Sequence, residues 1–195
     1  MSVEKRKVLT PEILIAAYSQ GYFPMAEDDE IYWHWPDPRA IIPLNGIKIS
    51  RSLRQVLKKG IFETTVNKAF KTVMEQCAER RSTWISEEFI RSYTELHARG
   101  NAHSIETWRD GELVGGLYGV AIGGAFFGES MFSTATDASK VAFVRLTEVL
   151  KIQGFMLLDT QYINPHTESL GAIEIPGALY FSTLQKALLM RCTFE

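Results

Sequence analysis

The hydrophobic pattern changes period near residue 102, and that change limits the folds open to this chain. His103–Trp108 alternates apolar and polar and runs into Asp110-Gly111, a strong two-residue hairpin signal. Glu112–Ile122 reads as a second strand, Gly123-Gly124 as the next turn and Ala125–Phe132 as a third strand. Consecutive strands joined by tight turns pair as an antiparallel meander. The period then becomes helical. Ala138, Val141, Ala142, Leu146, Val149 and Leu150 form one stripe over Asp137–Gln153, with Gly154 as the stop. Phe155–Gln161 reads as a strand and Pro176–Met190 as an amphipathic helix. Meander, helix, strand, helix is the order of an antiparallel sheet flanked by helices.

The first third is different. Thr10 and Pro11 suit the N-cap and first turn of a helix over Pro11–Gln20, and Gly21 ends it. Residues 21–44 are rich in aromatics and prolines without a clear period, and read as a structured loop with short extended pieces. Ile49–Lys59, Asn67–Arg80 and Thr83–Arg99 look helical, the last with Ser86 as N-cap and Phe89, Ile90, Tyr93, Leu96 and His97 at helical spacing. The expected organisation is a small helix-rich N-terminal lobe over residues 1–62 and a main domain over residues 63–195. The fold class is α+β, an acetyltransferase-like (GNAT-type) mixed but mainly antiparallel sheet flanked by helices.

Composition excludes several classes. With 195 residues, 46% of them apolar, the chain can build one good core plus a small lobe. A net charge of −2 gives no bulk electrostatic case for nucleic acid. The longest uncharged run, Leu113–Gly128, falls short of the ~20 residues of a spanning helix and is broken by glycines. The N-terminus lacks an apolar signal core. Cys77 and Cys192 are far apart and read as reduced thiols. The expectation is a soluble, cytoplasmic protein without a membrane segment.

Several familiar chemistries are missing. There is no phosphate-binding Gly-x-x-x-x-Gly-Lys-Ser/Thr loop and no Gly-x-Ser-x-Gly elbow. Gly115-Gly116-Leu117-Tyr118-Gly119 runs strand into strand, which suits close packing better than a nucleotide. His34, His97, His103 and His166 have no metal spacing, so no metal site is expected. The place where an acetyl-CoA enzyme carries its glycine-rich pyrophosphate loop holds FSTATDASK.

What remains is a few polar groups in apolar surroundings. Glu129 lies in GGAFFGESMFS, and a plain strand would put Phe127, Glu129 and Met131 on one face. A buried lone carboxylate costs several kcal/mol or takes a proton. Its partner is either a substrate group or a cation such as Arg145 or Lys140. Leu157, Asp159 and Gln161 share a face, where acid and amide could grip one amine or bond to a neighbouring loop. Trp33, Trp35 and Trp84 could stack on bases or fill a small core. Arg51, Arg54, Lys58 and Lys59 could face a phosphate backbone or only solvent.

The segments GYFPM, WPDPR, ISRSL, TWI, AHSIETW, LVGGLYGVAIGGAFFGESMFS, LLDTQ and HTESLGAIEIP occur in this order. Together they resemble the leucyl/phenylalanyl-tRNA–protein transferase family over roughly residues 10–182. The resemblance implies transfer of leucine or phenylalanine from Leu-tRNA or Phe-tRNA to proteins with N-terminal Arg or Lys, marking them for degradation by the N-degron pathway. It implies no cofactor, because the ester arrives activated, and a monomer. An acetyl-CoA-dependent N-acetyltransferase is the alternative enzyme. By the resemblance, Asp159 orients the acceptor α-amine or takes its proton, Gln161 assists, and Glu129 contacts the ester end or its amino group. Leu117, Leu146 and Leu150 line the side-chain pocket with Ser130 beside them, and Trp84 packs on the terminal adenosine. The sequence departs from the family pattern at Met25, where Trp is usual, at His34-Trp35, which replace Trp-Ser, and at Gly177, where Arg is common.

Overall fold

A computed structural model describes residues 9–27, 30–79 and 83–195. The first helix, α1 (Pro11–Ser19), starts where Thr10 Oγ1 accepts the Ile13 amide. Strands β1 (Phe23–Glu27) and β2 (Glu30–His34) pair with each other antiparallel, and β3 (Arg39–Ile41) follows. Helix α2 (Arg51–Lys59) is capped by Ser50 and closed by Gly60 in the left-handed region at φ +62°. Next come β4 (Glu63–Val66), α3 (Phe70–Ala78) and α4 (Glu87–Ala98), the last capped by Ser86 as its sequence indicates. The meander is β5 (Ala102–Arg109), β6 (Glu112–Ile122) and β7 (Ala125–Ser133). The chain closes with α5 (Ala138–Ile152), β8 (Leu157–Gln161), α6 (Pro165–Leu170), β9 (Ile173–Ile175) and α7 (Gly177–Leu188).

Two helical spans differ from expectation for local reasons. Asn67 has φ +58°, outside the right-handed helical region, so α3 starts only at Phe70. The Asn67 side chain instead bonds β5, accepting the Ser104 amide at 3.0 Å and meeting His103 Nδ1 at 3.0 Å. Arg80, the expected end of that helix, lies outside the described residues. Thr83–Ile85 precede α4 without being helical. Strand β4, too short to show a period, pairs with β5. Helix α6 rests on a capping box in which Asn164 and Thr167 bond each other's backbone.

One seven-stranded sheet, in the order β4-β5-β6-β7-β8-β3-β9, organises the molecule. Every pairing in it is antiparallel except β7 with β8. This is the expected mainly antiparallel, helix-flanked layout. Strand β3 joins the sheet from the N-terminal third, between β8 and β9. One face carries α1, α3, α4 and α7, whose Tyr18, Phe70, Met74, Phe89, Tyr93, Tyr180 and Leu184 pack with Val120 and Phe127. The other face carries α5, whose Phe143, Leu146, Val149 and Leu150 pack with Leu117, Phe126 and Leu158.

The glycines of β6 serve this packing. A Cβ on Gly115 would lie 2.7 Å from the Ala138 Cβ, so α5 can start against the strand only if that position is bare. Gly119 is still tighter, with 2.3 Å to the Phe127 carbonyl oxygen.

Candidate active site

The sheet splits where its one parallel pair ends. Strands β7 and β8 are in register from Ala125↔Leu157 to Phe127↔Asp159 and no further. Beyond that point β7 continues beside β6 to Ser133, while β8 ends at Gln161. Between them lies a cleft of about 740 Å³ lined without interruption by residues 128–134 on one side and by Leu158, Thr160 and Gln161 on the other.

A bulge sets the edge of this cleft. Gly119 pairs with Gly128, but Tyr118 pairs with Ser130, so Glu129 is an extra residue without a partner on β6. Such an insertion bends the strand and shifts the side-chain alternation. Phe127 therefore packs on the α1 face and Met131 on the α5 face, contrary to the shared face expected for Phe127, Glu129 and Met131.

Glu129 lines the cleft, held from one side only. Tyr18 donates to its Oε1 at 2.7 Å and Gln161 Nε2 donates to the same oxygen at 2.9 Å. Tyr93 lies behind, with its hydroxyl 2.6 Å from that of Tyr18. The alternative cations are occupied elsewhere: Lys140 with Asp137 and Arg145 with Glu148. Burial pushes the Glu129 carboxyl up to about 8, with the nearby Asp159 charge adding to the effect and the bonds from Tyr18 and Gln161 opposing it. Oε2 has no hydrogen-bond donor among the described residues.

Asp159 sits beneath the cleft, not on its wall. Arg39 grips it with Nε to Oδ1 at 2.9 Å and Nη2 to Oδ2 at 2.7 Å, and both side chains are wholly buried. Tyr180 donates to Oδ2 at 2.6 Å, and the Gln161 amide donates to Oδ1 at 2.9 Å. These four bonds fill the carboxylate's acceptor directions. Asp159 therefore meets Arg39, Tyr180 and Gln161, and of these Gln161 faces the cleft. Arg39 is itself sandwiched by the Phe23 and Tyr180 rings, 4.9 and 4.5 Å from its guanidinium carbon, and donates to the Gly21 carbonyl. Burial opposes its charge, but Asp159 outweighs that and raises its pKa above the usual value.

Gln161 links the two carboxylates. Its φ of +59° is left-handed, a conformation that costs a non-glycine residue about 1–3 kcal/mol and persists only where its surroundings enforce it. The Asp159–amide bond supplies that hold, and it aims the side-chain amide at Glu129.

Of the remaining expected residues, Leu117, Ser130, Leu146 and Trp84 line the cleft. Leu150 does not: it is completely buried one turn below Leu146, in the core behind the wall. Met131, Phe143, Leu158, Leu170 and Ile42 complete the apolar wall. Among the described residues the lining contains no Lys or Arg, and its acids are Glu79 and Glu129. Arg51, Arg54, Lys58 and Lys59 are exposed on α2, away from this wall. Trp33 is largely exposed, whereas Trp35 donates its indole N–H to the Gln20 carbonyl at 3.1 Å.

Sequence reasoning missed Arg39, Tyr180, Tyr18 and Tyr93. Arg39 stands in the WPDPR segment, but nothing in its spacing points to a residue 120 positions on. A Cβ on Gly177 would meet the Trp35 ring at 2.6 Å and the Asp37 carboxyl carbon at 2.9 Å, so these two side chains occupy the room a side chain there would need.

The split sheet brings an apolar wall and a half-satisfied carboxylate into one cleft, an arrangement with room for an acyl group beside an amine. Comparison with known proteins narrows the chemistry. A model described as leucyl/phenylalanyl-tRNA protein transferase matches residues 41–185, and one described as the N-terminal domain of that protein matches residues 8–37. A leucyl/phenylalanyl-tRNA–protein transferase from Herpetosiphon aurantiacus is 55% identical over 189 residues, covering 96% of this chain and 99% of that one. Another of the same name from Gloeobacter violaceus is 52% identical over 189 residues, covering 96% and 98%. The chain belongs to the leucyl/phenylalanyl-tRNA protein transferase family, and is an aminoacyltransferase with an aminoacyl-tRNA donor and a protein acceptor. The acetyl-CoA alternative is not favoured by these relatives. The solved structure of L-PGS from Bacillus licheniformis aligns at TM-score 0.45 and 15% identity over 79% of this chain and 51% of that one, too remote to bear on function.

Proposed function

We propose that the cleft receives the aminoacyl end of Leu-tRNA or Phe-tRNA and passes leucine or phenylalanine to the α-amine of a protein beginning with Arg or Lys. The observation that carries this reading is one cavity in which an apolar wall adjoins Glu129. The donor side chain lies against Leu117, Met131, Phe143, Leu146 and Leu158, with Ser130 beside it. Trp84 stacks on the terminal adenosine.

The amine nitrogen forms the new C–N bond, the ester C–O bond breaks, and the ribose oxygen leaves with a proton. Alignment of the two reactants supplies most of the acceleration, about 7–11 kcal/mol for well-oriented groups. Glu129 handles the proton. A carboxyl at about 8 is matched to an α-amine near 7.7–8.0, so either can hold the proton at little cost. Gln161 fixes Glu129 and helps orient the amine. Asp159 acts as a positioning residue, keeping Gln161 in its left-handed turn.

The product carries a new N-terminal Leu or Phe, which marks it for degradation. We place the protein in the cytoplasm as a monomer. Among the described residues no helix is long and apolar enough to cross a membrane. The test is incubation with Phe-tRNA and an Arg-starting peptide, with acetyl-CoA in a parallel reaction, read by mass spectrometry. A gain of one phenylalanyl residue is expected. Acetylation instead, or indifference to charged tRNA, ends this reading.

A further inference from the structure

We infer that the acceptor polypeptide binds as an added strand along the open edge of β7, its α-amine at Glu129 and its next residues running toward Thr134. This deepens the proposed function and rests on it.

The edge is available. Strand β7 pairs with β6 on one side over its whole length, but with β8 only as far as Phe127. Past that point no described strand pairs with its other side. Residues 128–134 form one wall of the cleft instead. Their backbone donors and acceptors on that side need partners, and an extended chain supplies them at strand spacing. At ~3.3 Å per residue the wall from Gly128 to Thr134, less its one bulged residue, matches an acceptor segment of about six residues.

The occupant follows from charge and chemistry. Among the described lining residues the acids are Glu79 and Glu129, with no Lys or Arg. Glu129 at the head of this wall suits a cationic N-terminus. The donor's apolar side chain has its own surface on the α5 side, built by Leu117, Met131 and Leu146. Main-chain pairing also fits an enzyme whose acceptors share only a first residue, because strand addition reads backbone rather than side chains. The bulge adds a geometric reason. It turns Glu129 toward the end of this edge, where the first residue of an added strand would place its amine.

The test uses the full chain, Phe-tRNA and a six-residue peptide starting with Arg. Backbone amides from the second to the fifth residue are N-methylated one at a time. A parallel series replaces each amide by an ester, which removes the donor without adding bulk. Expected is a loss of at least tenfold in kcat/KM at alternate positions, mostly through KM, with intervening positions and side-chain alanine swaps changing it less than threefold. A flat profile in both series, with the parent peptide turned over normally, overturns the strand addition and leaves the functional reading intact. A flat profile joined to protection of β7 amides from hydrogen exchange by the charged donor alone assigns the edge to the donor, which also overturns it. No transfer to the parent peptide overturns the functional reading and the inference with it.

Discussion

Glu129 is the residue with most at stake. Its carboxyl is raised by burial to about 8 from an ordinary value near 4.5. The folded protein therefore binds this proton more tightly than the unfolded chain does. Stability from this group is highest below pH 4.5 and falls as pH rises toward 8. Glu129→Gln removes that loss: the unfolding midpoint should rise by several degrees at pH 8.5 and by little at pH 5, while transfer falls at least tenfold. A mutant that keeps wild-type turnover would remove Glu129 from the proton's path. Asp159 matters through its buried partner. Asp159→Asn strands the buried Arg39 charge, which costs about 3–5 kcal/mol. Arg39→Met with Asp159→Leu should recover most of that stability but not activity, because Gln161 has lost its amide partner; recovered turnover would show that the Asp159–Gln161 bond is dispensable. Trp35 and Gly177 form a third test. Gly177→Ala alone should destabilise the protein by about 1–3 kcal/mol through overpacking, and by less in a Trp35→Ser background, where only the Asp37 contact remains; additive effects in denaturant unfolding would contradict the Trp35 contact.

At the scale of elements, the cleft depends on two strands parting and one helix lining them. Helix α5 presents Leu146 to the cavity and Leu150 to the core one turn away. Leu146→Trp should therefore shift donor use from phenylalanine toward leucine. Leu150→Ala should leave the ratio unchanged while costing about 2–5 kcal/mol of stability. Competition between the two charged tRNAs measures the first effect and chemical denaturation the second. The stripe that contains both leucines is legible in sequence, because helical periodicity marks burial. Which of the two faces a cavity is not, since a core wall and a cleft wall are equally apolar. The bulge is likewise invisible to period-two reasoning, because one inserted residue reverses every later position on the strand.

For the whole molecule, the N-terminal third is wired into the main sheet. Strand β3 stands between β8 and β9, Arg39 on it holds Asp159, and Tyr18 of α1 holds Glu129. Residues 63–195 expressed alone leave Asp159 without its cation and the α1-side core without Leu14, Tyr18 and Phe23. That fragment should show no cooperative thermal transition; a two-state melt near that of the full chain would establish residues 63–195 as an independent domain. The meander, the α5 stripe, the helix caps at Thr10 and Ser86 and the family itself all follow from the order of residues, because each depends on neighbours within a few positions or on motifs kept in line. The pairing of Arg39 with Asp159 and the relay from Tyr93 through Tyr18 to Glu129 join residues 75 to 120 positions apart, and the sheet opens where Phe127 meets Asp159 from another strand. Local spacing carries no information about such contacts. They exist only once packing has brought distant segments together in a dry interior, where each polar group must find whichever partner the fold has placed beside it.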